Sequence, residues 1–310
     1  MENRKIQIRD AIACACTDLK TAGIDSPALD AQLLLCAVLN TTRTALVASG
    51  DDTLAHNDLK LFNSLIERRK NGECTAYITG KKEFWGLEFL VNPSVLVPRP
   101  DTETLVETTI QKKKEVALAV RRKKNVKILD LCTGCGAIAA ALKHEMPETE
   151  IWATDISAAA LETAKANAER LLPAGSQIHF YEGDLFTALP ASHFSSSTPN
   201  SPFAAPHTKF TIIVSNPPYI PRDKIKTLPI EVQNEPHFAL DGGKSGLEII
   251  ERIISDAPNY LEQGGTILIE ADPHQMIIIA DLLETRGFSG IELIKDMSGL
   301  ERVIGGIYEK

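Results

Sequence analysis

The chain lacks any apolar run of the roughly 20 residues that a bilayer-spanning helix needs. Its opening residues, Met1-Glu2-Asn3-Arg4-Lys5-Ile6, hold no apolar signal core, so a cytoplasmic protein without membrane association is the expectation. Cysteine is sparse: six in 310 residues do not suggest a disulfide scaffold. The seven histidines are scattered, and no second Cys or His pair at ligand spacing accompanies Cys132-x-x-Cys135, so no metal is expected. Basic charge is in deficit, with a net charge of −8, which argues against broad nucleic-acid binding and leaves only a local basic patch open. What is present, 44% hydrophobic and 24% charged residues, is a globular composition. The length allows two domains of roughly 100–200 residues each.

Apolar residues recur at helical spacing through the first seventy residues: Ile8, Ile12, Ala15 and Leu19, then Leu29, Leu33, Leu34, Leu35, Val38 and Leu39, then Leu59, Phe62, Leu65 and Ile66. Gly23 ends the first helix, and Ser26-Pro27 predicts a cap and a first-turn proline for the second. Cys14 and Cys16 fall on the first helix, where burial is the expectation. This segment is a helical bundle, read either as a packing module or as a substrate-docking domain. A hairpin follows around Gly86 in Phe84–Val91, and a helix opens near Asp101 or Thr102, either of which could cap it. Lys112-Lys113-Lys114 and Arg121-Arg122-Lys123-Lys124 read as a solvated helix and linker face, with an RNA contact as the sharper alternative. Residues Ala191 to His207, rich in Ser and Pro, read as a disordered loop.

From Val126 onward strands alternate with helices. Strand candidates are Val126–Leu131, Glu150–Asp155, Gln177–Gly183, Phe210–Ser215, Thr266–Glu270, Gly290–Lys295 and Arg302–Tyr308, with helices at Ala137–His144, Ala158–Leu171, Leu247–Leu261 and Gln275–Arg286. The alternation predicts a doubly wound α/β sheet. The last two strands are joined too closely for a parallel crossover, so they must be antiparallel, which is the methyltransferase variant of the Rossmann arrangement.

Residues Leu129–Ile138 form a strand, a tight loop and a helix start, with Gly134 and Gly136 allowing close backbone approach and Thr133 beside them. Ala139 stands where a dinucleotide fingerprint has its third glycine, which weakens a nicotinamide oxidoreductase reading. Asp155 ends the second strand, where a carboxylate can accept from a ribose diol. Asp184 closes the third, where it can accept from an adenine amino group while Leu185 packs on the ring. Gly-x-Gly, Asp and Asp at three strand ends in series point to an adenosyl pocket, with Cys132 and Cys135 as small loop fillers that act through their backbone N–H groups.

The most informative residues are Ser215-Asn216-Pro217-Pro218-Tyr219, directly after the apolar strand Phe210–Val214. Two prolines supply no backbone donors, so the chain must leave the sheet at the strand's carboxyl end, where open α/β sheets keep their ligand crevice. The turn offers the Asn216 amide, proline carbonyls and an aromatic face, a set suited to a flat nitrogen substrate.

With both motifs in place, the chain resembles the peptide-chain release factor glutamine N5-methyltransferases, the HemK family. The resemblance extends over Tyr77–Gly80, Phe84–Phe89, Val97-Pro98-Arg99-Pro100-Asp101-Thr102-Glu103, Ile128–Ile138, Val214–Ile220, Glu231-Val232, Glu235-Pro236, Ala239–Gly243, Gly246-Leu247, Lys295-Asp296 and Arg302. It departs at Cys132, where the family usually has Gly, at Cys135, at Leu185, at Glu270-Ala271-Asp272 and in the two inserts. The resemblance implies a class I S-adenosyl-L-methionine-dependent fold: a Rossmann-like, mostly parallel sheet with an antiparallel last strand over 98–310, a hairpin linker at 81–97, and a helical substrate-docking domain at 1–80. It implies S-adenosyl-L-methionine as donor and the glutamine of a Gly-Gly-Gln tripeptide in a class I release factor as acceptor, with no stable nucleic-acid binding. Asn216 and Pro217 would then hold the amide hydrogens and Tyr219 the amide plane, with Pro218 completing the substrate contact. Cys132, Thr133, Gly134, Cys135, Gly136, Asp155, Asp184, Leu185 and Asn216 would hold the donor. The Arg99–Glu103 region and Glu235 either shape the pocket or are structural. The alternatives are an adenine N6-methyltransferase using the same tetrad, and a non-catalytic adenosyl-binding scaffold.

Overall fold

The structure, a computed structural model, describes residues 6–119, 126–190 and 209–309. The Arg121–Lys124 cluster and the Ser/Pro-rich 191–207 segment lie outside the described residues. The chain divides into two compact units: residues 1–81 with 229–234, and residues 82–228 with 235–310.

The first unit is helical: α1 (Ile8–Thr21), α2 (Pro27–Leu39), α3 (Arg43–Ala48), α4 (His56–Lys70) and α5 (Thr75–Thr79). Its core is the stripe Ile8, Ala11, Ala15 and Leu19 packed on Ala31, Leu34, Leu35, Phe62 and Ile66. That stripe decides the cysteines. Cys14 falls off it and is exposed, Cys16 is half-buried, and the buried thiol is Cys36. Ser26 precedes α2 without capping its backbone; its hydroxyl donates to Asp30 instead, and Pro27 at the first helical position preorganises the turn. Buried Asp30 accepts from Arg69 Nε at 2.7 Å, and Arg69 Nη2 donates to Glu231 of the returning 229–234 segment. The Asn234 amide donates to the Gly72 carbonyl at 2.9 Å, which pins the same segment.

The chain passes into the second unit at the first residue of the hairpin β1 (Lys81–Phe84) and β2 (Leu87–Leu90). Both turn residues have positive φ, 55° at Trp85 and 68° at Gly86, the pattern of a type I′ turn. Trp85 tolerates it because its N–H donates to Glu103 Oε1 at 2.8 Å and its indole to Glu145 at 3.0 Å. A 3-10 turn at Pro100–Thr102 leads into α6 (Glu103–Ala119), so neither Asp101 nor Thr102 acts as a side-chain cap.

The main sheet has strands β3 (Lys127–Leu131), β4 (Glu150–Asp155), β5 (Ile178–Glu182), β6 (Phe210–Ser215), β7 (Leu261–Glu270), β8 (Phe288–Lys295) and β9 (Glu301–Tyr308) in the order β5-β4-β3-β6-β7-β9-β8. The pairs among β3 to β7 are parallel, and β9 runs antiparallel to both β7 and β8. The covering helices are α7 (Ala137–Glu145), α8 (Ala158–Leu171), α9 (Glu248–Asp256) and α10 (Met276–Thr285). The helix expected over Leu247–Leu261 stops at Asp256, because Pro258 lacks the N–H to continue it and a 3-10 turn takes Ala257–Asn259. The chain enters β7 at Leu261, earlier than expected, and the Gly264-Gly265 region absorbs a register shift against β6.

Chain order reverses between β3 and β6, which lie side by side in the middle of the sheet. Such a switch point opens a crevice at the strands' carboxyl ends. The register pairs Leu131 with Ser215, and the Ser215 hydroxyl donates to the Leu131 carbonyl at 2.8 Å. The glycine loop after β3 and the Asn-Pro-Pro-Tyr turn after β6 therefore leave the sheet together.

Candidate active site

The glycine loop is tied to the next strand before any ligand is considered. Gly134 N–H donates to Asp155 Oδ2 at 2.8 Å, Ser157 N–H to Asp155 Oδ1 at 2.9 Å, and Thr133 N–H to the Thr154 carbonyl at 3.0 Å. Burial raises the Asp155 carboxyl above its ordinary range, against the lowering effect of those N–H groups. Thr133 also donates its hydroxyl to Asp130 Oδ2 at 2.6 Å. Asp130 is fully buried, and desolvation lifts its carboxyl to about 7. Cys132 holds φ 61°, a left-handed backbone that glycine adopts at no steric cost. Burial pushes both loop thiols up, Cys135 to about 12, so neither is a thiolate near neutral pH. Among the described residues no group of His, Cys, Asp and Glu is placed to hold a metal ion. Gly136 serves packing: with φ 78° it caps α7, and a Cβ there would stand 3.0 Å from the Ala164 Cβ of α8.

A cavity of about 630 Å³ opens over these strand ends. Cys132, Gly134, Asp155, Asp184, Leu185, Asn216 and Pro218 line it, as do Ser94–Leu96, Ile156, His237–Ala239 and Arg252. Thr133, Cys135, Gly136, Pro217 and Tyr219 are not among its lining residues. Thr133, Cys135 and Pro217 are buried, and Tyr219 packs against the main core, with burial raising its phenol. Asp184 is half-exposed and accepts from Arg252 Nη2 at 2.6 Å. Sequence reasoning missed Arg252, which comes from α9, and the His237–Phe238 rim, which comes from a short helical turn. Neither stands at a strand end, where the sequence pattern directs attention.

Asn216 bridges the cavity and the interior. Its Nδ2 donates to the buried Thr102 hydroxyl at 3.1 Å. Behind the turn, Gln275 Nε2 donates to the Tyr219 carbonyl at 3.0 Å, while Ile220 N–H donates to Leu240 and Gly242 N–H to Ile220. Val97 N–H donates to Glu235 Oε2 at 3.1 Å, and Arg99 pairs with the same carboxylate, so Glu235 clamps the stretch before α6.

The sheet order, the switch-point crevice and the glycine loop together define a class I S-adenosyl-L-methionine-dependent methyltransferase. The cavity fits such a donor in kind: its volume is that of a small-molecule site, Leu185 and Ile156 offer apolar wall, and Asp155 and Asp184 keep lone pairs beyond those already used. The PrmC N-terminal domain model matches residues 10–80 and the methyltransferase small domain model residues 114–209. The release factor glutamine methyltransferase of Vibrio cholerae is 38% identical over 304 residues, covering 98% of each chain, and that of Burkholderia pseudomallei is 35% identical, covering 95% of this chain and 96% of the relative. The catalytic domain of hMettl16, solved in complex with MAT2A 3'UTR hairpin 6, shares the fold at TM-score 0.53 and 14% identity, covering 79% of this chain and 81% of that one. The chain belongs to the release factor glutamine methyltransferase family.

Proposed function

We propose that the protein transfers a methyl group from S-adenosyl-L-methionine to the N5 amide nitrogen of the glutamine in the Gly-Gly-Gln motif of class I release factors, a step in the preparation of translation termination. The observation that carries this reading is Asn216 at the cavity wall with its NH2 engaged by Thr102, which leaves Oδ1 as the acceptor for an incoming amide. The donor supplies an electrophilic methyl: its carbon–sulfur bond breaks as the nitrogen–carbon bond forms, sulfur keeps the electron pair, and the acceptor nitrogen sheds one proton to water.

An amide nitrogen is a poor nucleophile because its lone pair is delocalised. Acceptors held against its two hydrogens favour the positive charge that builds there. Asn216 Oδ1 and the Pro217 carbonyl take that role in this reading, with Pro218 and Tyr219 shaping the slot for the amide plane and in-line placement doing the rest. Asp155 and Asp184 hold the ribose and adenine, Leu185 the ring, and the Cys132–Gly136 loop the amino-acid end. Residues 1–80 act as the docking domain for the release factor, residues 81–97 as the hairpin linker and residues 98–310 as the methyltransferase domain. The nucleic-acid alternative loses part of its support, because Lys112 pairs with Glu115 and Glu292, and Lys113 with Glu148.

Asn216→Ala is expected to abolish tritiated methyl transfer to purified release factor while S-adenosylhomocysteine still binds by calorimetry. Full activity in that variant removes the proposal, and transfer to DNA or RNA in preference to release factor redirects it.

A further inference from the structure

The parallel register that pairs Ser215 with Ile269 sets the next residues of the two strands, Asn216 and Glu270, beside one another at the carboxyl ends of β6 and β7. Glu270 is 1% exposed, and its Oε2 has no hydrogen-bond partner. The Thr102 hydroxyl and the Asn216 amide both lie against this carboxyl. A hydroxyl that accepts from Asn216 still has its own hydrogen to give, and Glu270 is the acceptor facing it. A buried carboxylate with one orphaned oxygen is costly to keep for packing alone. Nothing in the donor cavity touches it directly, since neither Glu270 nor Thr102 lines that cavity.

We propose that Glu270 and Thr102 are positioning residues for the transfer: they hold the Asn216 NH2 toward the interior, fix Oδ1 toward the methyl acceptor, and place a negative charge behind that amide. The inference rests on the amide-methylation reading above. A carboxamide rotated by half a turn would present two donors to an acceptor NH2 and repel it. The Glu270–Thr102 pair removes that rotamer, because both groups accept. The carboxylate also polarises the Asn216 amide, so that Oδ1 becomes a stronger acceptor as charge builds on the substrate nitrogen. The charged and titratable groups facing Glu270 come from each neighbouring segment: Arg302 on β9, Asp101 on the 3-10 turn and Tyr219 after β6. Arg302 is already shared, at 3.2 Å from Asp101 and 3.4 Å from Asp296, and so is not a dedicated partner of Glu270.

The test uses the full chain with purified release factor, measuring kcat, KM, S-adenosylhomocysteine affinity and the pH profile of kcat. Thr102→Val is expected to lower kcat about tenfold or more, with KM and cofactor affinity unchanged within about twofold, and Thr102→Ser to restore most of the rate. In the wild-type protein kcat should fall below about pH 7 as Glu270 takes up a proton, and Glu270→Gln should lower the plateau and flatten that limb. Thr102→Val with wild-type kcat overturns the positioning role, as does an acid limb that survives unchanged in Glu270→Gln. If Glu270→Gln does not fold, the Thr102 pair decides alone. A wild-type protein that binds cofactor but does not methylate release factor overturns the substrate reading, and the positioning role with it; wild-type transfer with unaffected variants overturns only the latter.

Discussion

Asp130 and Glu270 are carboxyl groups sealed in the middle of the sheet, each lifted to about 7 chiefly by burial. The ordinary values, 3.8 and 4.5, are those of the unfolded chain. Between roughly pH 4.5 and 7 the folded chain therefore binds protons that the unfolded chain has released, and stability falls as pH rises through that window. Groups shifted the other way, such as Asp241 and Asp296, lose their contribution only at lower pH. Asp130→Asn keeps a side-chain oxygen for the Thr133 hydroxyl and removes one of the two titrations. Urea unfolding of that variant should show a smaller loss of stability from pH 5 to pH 8 than the wild type, and an identical loss would mean that Asp130 is ionised throughout. At this scale the sequence speaks unevenly. The places of Asp155 and Asn216 at the cavity were legible because one ends a strand and the other directly follows one, each with a recognisable neighbour. Glu270 also ends a strand, but its place beside Asn216 depends on the β6–β7 register, which no local pattern announces.

Among the elements, the turn after β6 is held by a segment distant in sequence. Gly242 packs so closely on it that a Cβ would sit 2.8 Å from the Pro218 carbonyl oxygen and 2.8 Å from the Tyr219 Cα. This is close approach rather than unusual backbone. Gly242→Ala must therefore shift the loop that carries Asn216. A displacement of about 1 Å at a reacting group can cost on the order of a hundredfold in rate. Methyl transfer should drop by about that factor while S-adenosylhomocysteine affinity stays near the wild-type value, and equal losses in both would mean general unfolding instead. The alternating strands and helices were legible because β3, β4, β6 and the second half of β7 are buried on both faces and read as largely apolar runs, whereas edge strand β5 is only half-buried. The helix ahead of β7 was misjudged because the apolar pattern continues through Pro258, and only the missing N–H breaks it.

For the molecule as a whole, the informative feature is that the amino-terminal unit is built from two stretches of chain. Arg69, buried to 4% exposure, joins Asp30 of α2 to Glu231 of the returning segment. Removing the cation leaves Asp30 buried without compensation, a loss of about 3–5 kcal/mol in comparable cases. Arg69→Met should lower the unfolding midpoint of the full chain substantially, and Asp30→Asn in the same background should recover part of the loss. No recovery would show that packing rather than charge is at stake. The helical character of this unit was plain from its spacing, but its discontinuity was not, since Glu231 is a short polar stretch away from any periodic signal.

That discontinuity sets a timetable on the ribosome. Glu231 is translated 162 positions after Arg69, roughly 8–30 s later at ordinary elongation rates of about 5–20 residues per second. Throughout the interval the nascent bundle has its arginine and aspartate but not the third member of the trio. A unit begun before the other is thus completed only after strands β1 to β6 of the other have been made.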